Sequence, residues 1–412
     1  MIKYTPLIII FSYNLFFVLS GILGYQYLGS ESSPVFIIYN VLILVIGVIL
    51  FFSDALFQKV YFTSNQIFVI SIPFIFLAIF LIEYLIGNID NSGSIHFQYF
   101  LLWGLPSILM GIYLSKNNRI DHIIKFMDVI MILFSIAAIL TSIEVLTTNT
   151  RANIGGATYQ NASYIASFAF GINLYYLLFG ENIYRFKFAK TTLYRYFCYF
   201  LLMLQLFAIV SSGGRGGMVL AIVYFIYLII NSIKENRNTK IFKYFIIISL
   251  TFLIGILVHF QLMKISIYES SFSRVFSYIS SEGIDISATS GRDSVYSVAL
   301  EYVYNSPLFG YGIFGMFDSY GGYPHNLFIE ILLQGGLIYL IFFLFIFTKL
   351  INRTSKILKV DKRFRIICVI AFHPLILLMF SGTYTNQSSF WFTVAFIFSY
   401  PYNNLKSVST VN

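Results

Sequence analysis

The chain has 412 residues, of which 58% are hydrophobic and only 10% are charged, with two cysteines. Soluble globular domains are about 45–50% apolar and about a quarter charged, so this composition excludes a water-soluble enzyme, a disordered chain and a disulfide scaffold. A membrane helix takes about 20 mostly apolar residues, which leaves room for roughly twelve. The sequence therefore predicts an all-α, polytopic membrane protein that forms a single integral membrane domain over residues 1–412.

Twelve apolar segments of spanning length follow one another along the chain. They lie at 5–24, 34–52, 66–87, 97–114, 124–146, 161–179, 196–212, 216–233, 243–262, 326–348, 365–381 and 388–402. The weakest are the short twelfth and the sixth, which contains Ser163, Ser167 and Asn173. Cys198 and Cys368 fall inside two of the segments without metal-binding or redox spacing, so we expect them to be packing residues.

The net charge of +9 follows from the side of the membrane on which the basic residues are predicted to lie. With the N-terminus inside, 21 of the 26 Lys and Arg residues fall in cytoplasmic loops, as the positive-inside rule requires. Both termini are therefore expected in the cytoplasm, and the basic surplus indicates contact with membrane lipid headgroups, not with nucleic acid. The basic residues left on the outer side are Arg151, Arg215, Lys264, Arg274 and Arg292.

The predicted outer loop between the ninth and tenth segments, residues 263–325, is far longer than the others, and long loops are usually functional or structured. The sequence Ser290-Gly291-Arg292-Asp293 has the pattern of a helix N-terminus, and apolar residues repeat behind it at helical spacing. An amphipathic helix is therefore predicted over 292–304. Arg292 would lie where free backbone N–H groups favour an anion, although an ordinary surface arginine is the alternative.

The long loop ends in Pro324-His325-Asn326, directly before the tenth segment. A histidine at the membrane interface can act as a general base near neutral pH, but His-Asn could equally cap the helix. Glu330, one turn further on, is an ionisable residue at membrane depth and is a functional candidate for that reason. Gly335-Gly336 indicates a site of close helix packing.

Two other outer turns contain arginine. Residues 211–217 place Arg215 among four glycines, whose backbone allows an anion to approach a cation closely. A tight hairpin with an arginine that extends to the headgroups is the alternative. Arg151 opens the polar stretch 151–161, which could be a purely structural loop and in which Asn161 could cap the sixth segment.

Several arginines and one histidine on the outer face suit a phosphate-bearing lipid. Arginine can stabilise the charge that develops on a pyrophosphate leaving group without a metal, and His325 could take the proton of an attacking sugar hydroxyl. Metal-dependent sugar transfer typically shows two acidic residues two positions apart, and this sequence has no such pair and no His–Cys cluster. We therefore expect neither a metal nor another cofactor.

These motifs resemble the O-antigen polymerase and O-antigen ligase superfamily. The segments that carry the resemblance are, in chain order, Gly213–Gly217, Gly291–Asp293, Asn305–Gly312, His325–Glu330 and Gly335–Leu337. Residues 151–166 also resemble the arginine-bearing outer loop of that superfamily. The resemblance covers about 151–340, and its most specific part is the His-Asn segment.

The resemblance implies a metal-independent, GT-C-like membrane glycosyltransferase of the bacterial cytoplasmic (inner) membrane, with its active site facing the periplasm. Its substrate would be an undecaprenyl-diphosphate-linked oligosaccharide, and a chain-length regulator and a flippase would be its protein partners. By position, Arg215 and Arg292 would bind the pyrophosphate, with Arg151 as a third candidate, and His325 would activate or orient the acceptor hydroxyl. The other candidates for substrate binding are Arg274, Asp293, Tyr311, Asn326 and Glu330.

Three activities remain open. A polymerase would transfer the growing glycan onto an incoming lipid-linked repeat unit, and a ligase would transfer it to lipid A-core. The form His-Asn-Leu-Phe-Ile-Glu at 325–330 and the short cytoplasmic loops favour the polymerase. A flippase for the lipid-linked repeat typically carries its ionisable residues on facing helices near the midplane, whereas the unexplained charge here lies in outer loops.

Overall fold

The computed structural model describes residues 4–27, 33–57, 62–115, 119–180, 186–235, 263–275, 279–280, 283–284 and 292–401. The ninth predicted segment, 243–262, lies outside these residues, and so do Ser290 and Gly291 of the predicted helix cap.

The apolar segments fold into helices. In chain order the helices and strands are α1 (Thr5–Ile10), α2 (Ser12–Ile22), α3 (Pro34–Phe57), α4 (Ser64–Leu85), α5 (Asn91–Tyr99), α6 (Leu105–Ser115), α7 (Ile120–Thr148), α8 (Tyr159–Phe179), α9 (Thr192–Ser211), α10 (Arg215–Lys234), α11 (Ser266–Val275), β1 (Ile279–Ser280), β2 (Gly283–Ile284), α12 (Arg292–Asn305), α13 (Gly315–Ser319), α14 (Leu327–Val360), α15 (Arg365–Leu378) and α16 (Ser388–Ser399). A π-helical turn at Phe100–Gly104 joins α5 to α6, and β1 pairs with β2 in antiparallel fashion.

Eight helical stretches of the described chain are long and apolar enough to cross a membrane. They are α3, α4, the continuous stretch from α5 to α6, α7, α8, α9, α10 and α14. The first predicted segment forms two short helices, α1 and α2, and the last two form α15 and α16. A polytopic helical membrane protein, as predicted, is confirmed.

The sixth predicted segment, one of the two weakest, forms helix α8 in the interior of the bundle. Helix α8 is buried along its whole length and packs against α7, α9, α10 and α15. Its polar side chains bind neighbouring helices: Ser163 Oγ donates to the Gly214 carbonyl (2.8 Å), and Ser167 Oγ donates to the Gly217 carbonyl (2.7 Å). Asn173 donates to a carbonyl of α9 in the same way (2.8 Å). The low hydrophobicity of this segment therefore reflects contact with protein, where interhelical hydrogen bonds replace lipid contact.

The start of α8 corrects one prediction. The helix begins at Tyr159 with Thr158 as its N-cap, so Asn161 lies inside the helix and does not cap it. Two backbone hydrogen bonds form the turn before the helix: the Ile154 amide donates to the Ala157 carbonyl (3.2 Å), and the Ala157 amide donates to the Ile154 carbonyl (2.9 Å). The two cysteines, in contrast, are both buried and form no disulfide, as expected of packing residues.

Helix α14 is interrupted at Gly335-Gly336, where the sequence predicted close packing of helices. Gly336 has φ of 61°, and a Cβ atom there would lie 2.2 Å from the carbonyl carbon of Leu308. The amides of Tyr311 and Gly312 each donate to a carbonyl just before the break (2.8 Å). The close approach is therefore real, but the partner is the segment 307–312, which supplies hydrogen bonds that the interrupted helix lacks.

Two carboxylates fix residues 313–319 to the rest of the fold. Glu83 of α4 accepts hydrogen bonds from the three backbone amides of residues 313–315 (2.7, 3.0 and 2.9 Å). Similarly, Asp318 of α13 accepts hydrogen bonds from three backbone amides at the start of α5 (2.8, 2.9 and 2.9 Å). Each carboxylate thus binds the N-terminus of a helix, where a negative charge is favoured.

Candidate functional site

Four helices begin around one cavity of about 210 Å³. Its lining includes Tyr159, Arg215 and Arg292, the first residues of α8, α10 and α12, and also His325, which lies two residues before α14 begins. The first N–H groups of a helix have no partner within the helix, and the dipole is positive at that end. Because four such ends surround the cavity, it favours a negatively charged group.

Four of the predicted site residues line this cavity together: Arg215, Arg274, Arg292 and His325. Each of the four is half-buried. Among the described residues that line the cavity there is no Asp and no Glu. Arginine presents a planar set of N–H donors that matches the oxygens of a phosphate group, so three arginines in one cavity suit a diphosphate.

Arg215 is brought to the cavity by the glycine turn between α9 and α10. A Cβ atom at Gly216 would lie 1.9 Å from the Tyr164 hydroxyl, and one at Gly217 would lie 2.0 Å from Ser163 Oγ. These glycines therefore allow α10 to pack directly on α8, which places its first residue beside the start of α8. This packing role adds to the role that the sequence predicted for the turn, the close approach of an anion to Arg215.

Arg274 and Arg151 both lie near Tyr159, but only Arg274 lines the cavity. The Arg274 guanidinium donates to the Tyr159 hydroxyl and lies 4.6 Å from the centre of its ring. The Arg151 guanidinium is 5.9 Å from the same ring, and its side chain is exposed at the surface. Tyr159 was not predicted as a site residue, although it belongs to the polar stretch 151–161 that the sequence analysis singled out.

Arg292 is held by the loop that follows α15. Its Nη2 atom donates to the carbonyl oxygen of Phe380 (2.7 Å), and its guanidinium lies 5.6 Å from the centre of the Phe380 ring. The predicted helix over 292–304 is present as α12, and Arg292 is its first residue. Phe380 was missed, because an aromatic residue at the end of an apolar segment gives no signal for a site.

His325 has an unusual backbone conformation and a ring suited to accept a proton. Its φ of 56° lies in the left-handed region, which is uncommon for residues other than glycine and often marks a functional site. The ring packs edge-on against Tyr323 (4.7 Å between centres), and its Nδ1 atom is buried without a hydrogen-bond partner among the described residues. Burial and then the positive charge of Arg292 lower the pKa of His325, so the imidazole is neutral near pH 7.

The other predicted site residues lie outside the cavity lining. Asn326 caps α14, because its side chain accepts from the amides of Phe328 (3.0 Å) and Ile329 (3.3 Å). Asp293 is exposed in the first turn of α12, and the Tyr311 hydroxyl donates to a backbone carbonyl of the same helix (3.0 Å).

Glu330 is buried beneath the cavity without lining it. Its carboxylate accepts hydrogen bonds from the Thr383 hydroxyl and from Gln334 Nε2 (3.3 Å). In the described part of the chain, no group of three or more His, Cys, Asp or Glu residues could hold a metal ion.

The comparisons with known proteins agree with the motifs. The family model described as O-antigen ligase matches residues 198–344, a range that contains Arg215, Arg274, Arg292 and His325. The family covers O-antigen polymerases and ligases, which are membrane glycosyltransferase-like enzymes. Comparison with curated proteins and with solved structures gives no match. The resemblance is thus confirmed, and residues 198–344 relate this helical membrane protein to the O-antigen polymerase and ligase superfamily.

Proposed function

We propose that the chain is an O-antigen polymerase, which transfers the growing glycan from undecaprenyl diphosphate onto an incoming lipid-linked repeat unit. The observation that carries this proposal is the meeting of Arg215, Arg274, Arg292 and His325 in one cavity at the start of four helices. Such a cavity suits a diphosphate leaving group together with a base for the acceptor.

In the proposed reaction the oxygen of an acceptor sugar hydroxyl attacks the anomeric carbon of the donor glycan. The bond between that carbon and the diphosphate oxygen breaks, and undecaprenyl diphosphate leaves with the electron pair. His325 takes the proton of the hydroxyl, for which its ring must be neutral, and the lowered pKa of His325 supports this role. The arginines stabilise the negative charge that grows on the leaving group.

The orientation that we propose has twelve spans, both termini in the cytoplasm and the cavity on the periplasmic side of the inner membrane. Helices α8, α10 and α14 begin at the cavity and run away from it. Their far ends are followed or closed by the basic residues Lys187, Lys234 and Lys362. This distribution is the one that the positive-inside rule predicts when the cavity faces outward. A flippase and a chain-length regulator would then act beside the enzyme.

A ligase is the second candidate, because the matching family covers both O-antigen polymerases and ligases. The same bond to the diphosphate would break, and only the acceptor would differ, since a ligase transfers the glycan to lipid A-core.

Deletion of the gene, followed by a gel of the surface glycan, separates these functions. Lipid A-core that carries a single repeat unit supports the polymerase. Core without any repeat, together with polymer that accumulates on the lipid carrier, identifies the ligase instead. Accumulation of single repeats that face the cytoplasm contradicts both and identifies a flippase.

A further inference from the structure

The loop between α15 and α16, residues 379–387, connects the cavity with the buried interior. Near its start, the carbonyl oxygen of Phe380 accepts the hydrogen bond of Arg292 (2.7 Å). Three residues later, the hydroxyl of Thr383 donates to the buried carboxylate of Glu330. The same loop therefore contacts a cavity arginine on one side and a residue of α14 on the other.

Helix α14 holds the 379–387 loop with several polar groups. The Glu330 carboxyl group also accepts from Gln334 Nε2 (3.3 Å). The Tyr384 hydroxyl in turn donates to Gln334 Oε1 (2.6 Å) and pairs with the Tyr339 hydroxyl (2.9 Å). Since Glu330 is buried and outside the cavity lining, these contacts make its influence on the cavity indirect.

The stretch between Phe380 and Thr383 is too short and too well braced to absorb a displacement. The amides of Phe380 and Ser381 both donate to the Leu377 carbonyl at the end of α15 (2.9 and 2.7 Å). Gly382 then turns the chain with φ of 75°. Because only two residues separate Phe380 from Thr383, we expect a shift of Thr383 to move the Phe380 carbonyl.

We propose that Glu330 is a positioning residue: it holds Thr383 directly and Tyr384 through Gln334, and so sets where the Phe380 carbonyl keeps Arg292 relative to His325. His325 lies two residues before α14 and Glu330 lies in the first turn of that helix, so one element places the histidine through its N-terminus and the arginine through the loop. This inference rests on the proposed function, in which Arg292 binds the diphosphate. Misplacement of a catalytic group by about 1 Å can lower a rate by roughly 100-fold.

A double-mutant cycle tests the inference. Thr383→Val removes the hydroxyl that Glu330 accepts from but keeps the shape of the side chain, and Thr383→Ser keeps the hydroxyl. We expect Thr383→Val to lower the transfer rate by about 10-fold or more, and Thr383→Ser to stay near the wild type. In an Arg292→Ala background, Thr383→Val should lower the rate by no more than about two-fold, because its effect acts through Arg292.

A merely structural role gives a different result. A smaller folded fraction would reduce activity by the same factor in both backgrounds, so losses that multiply would overturn the inference. Glu330→Leu, which removes the oxygen that accepts from Thr383 and Gln334, should behave like Thr383→Val in the same cycle.

A second measurement needs no turnover. The affinity of the purified full chain for inorganic diphosphate is followed as the rise in its melting temperature. It is measured for the wild type, Thr383→Val, Arg292→Ala and the double variant. If diphosphate binds and the cycle is non-additive but no glycan is transferred, the proposed function is wrong and the positioning role stands. If Thr383→Val binds and transfers like the wild type, the positioning role is wrong. A wild-type chain that neither binds diphosphate nor transfers glycan overturns both.

Discussion

Arg292 at the cavity and Arg363 at the opposite end of α14 are held in different ways. Arg363 is bound by two carboxylates, those of Asp361 (2.8 Å) and Asp121 (3.0 Å). Arg292 donates instead to the neutral carbonyl of Phe380 and stands in a cavity whose described lining contains no carboxylate. A carboxylate neutralises an arginine, whereas a carbonyl fixes its position and leaves its charge for an anion. The comparison distinguishes an arginine that holds the fold together from one that can bind a ligand.

The titratable neighbours of the two arginines show the same difference. Burial alone would raise the pKa of Asp361, but hydrogen bonds from Arg363 and Tyr400 outweigh burial and lower it. Asp361 therefore remains ionised across the neutral range and keeps Arg363 paired. Arg292 acts on a histidine, since its charge adds to burial in lowering the pKa of His325. One arginine thus stabilises a structural anion, and the other keeps a potential base neutral.

The largest effect should come from Arg292→Ala. Loss of one group that stabilises the leaving charge typically costs about 100- to 1,000-fold in rate, so we expect almost no glycan polymer at a normal level of protein in the membrane. Glycan ladders and the amount of inserted protein measure this. The control is Lys264→Ala, which removes another basic residue of the predicted outer loop 263–325. Lys264 is exposed and outside the cavity lining, so this change should leave the ladder unchanged. A normal ladder from Arg292→Ala would contradict the conclusion that Arg292, unlike Arg363, binds the ligand.

Arg363→Ala should affect stability instead of chemistry. Hydrogen bonds to charged groups contribute about 1.5–3 kcal/mol, so we expect a loss of that order in the free energy of unfolding, seen as a lower melting temperature. The rate per folded molecule should be unchanged. Lys359→Ala, at an exposed position in the last turn of α14, is the matched control. If Arg363→Ala abolished transfer in fully folded protein, the two arginines would not differ as described.

Tyr159→Phe tests how Arg274 is held at the cavity. The change removes the hydroxyl that accepts from Arg274 but keeps the ring beneath the guanidinium. The donor is a charged guanidinium, and hydrogen bonds to charged groups contribute about 1.5–3 kcal/mol, so the transfer rate should fall by about 10- to 100-fold. Steady-state rates of purified protein measure the effect, and an unchanged rate would show that the position of Arg274 does not depend on this bond.

The smallest effect concerns pH. Because the pKa of His325 is lowered, transfer should persist as the pH falls below the ordinary pKa of histidine, about 6.5, and should decline only when the ring becomes protonated. Arg292→Gln removes a positive charge that disfavours imidazolium, so the pKa of His325 should rise. The acid limb of the residual activity should therefore move to higher pH. A shift to lower pH would contradict the electrostatic link between the two residues.

The polar residues of the candidate site were predictable from the sequence, but their arrangement was not. Arg215, Arg274, Arg292 and His325 could be found because the sequence predicts each of them on the side of the membrane where basic residues are rare. The helix at 292–305 could be found because its periodicity is local. That these four residues share one cavity could not be deduced, because it depends on how α8, α10, α12 and α14 pack.

The contacts that fix the site were not predictable, because they join distant segments through ordinary groups. Arg292 binds a backbone carbonyl 88 residues away, and a carbonyl has no sequence signature. Glu83 binds amides about 230 residues away and looked like any other acidic residue near the end of a span. Gly335-Gly336 was recognised as a place of close approach, but a glycine pair does not reveal whether a helix or a loop approaches it.

The most direct test of the cavity as the site of transfer uses purified full-length protein in lipid bilayers with undecaprenyl-diphosphate-linked repeat units. The wild type should lengthen the glycan and release undecaprenyl diphosphate, and both products should form about 100- to 1,000-fold more slowly with Arg292→Ala or His325→Ala. Glycan of normal length from both variants would contradict the proposal that these residues carry the reaction.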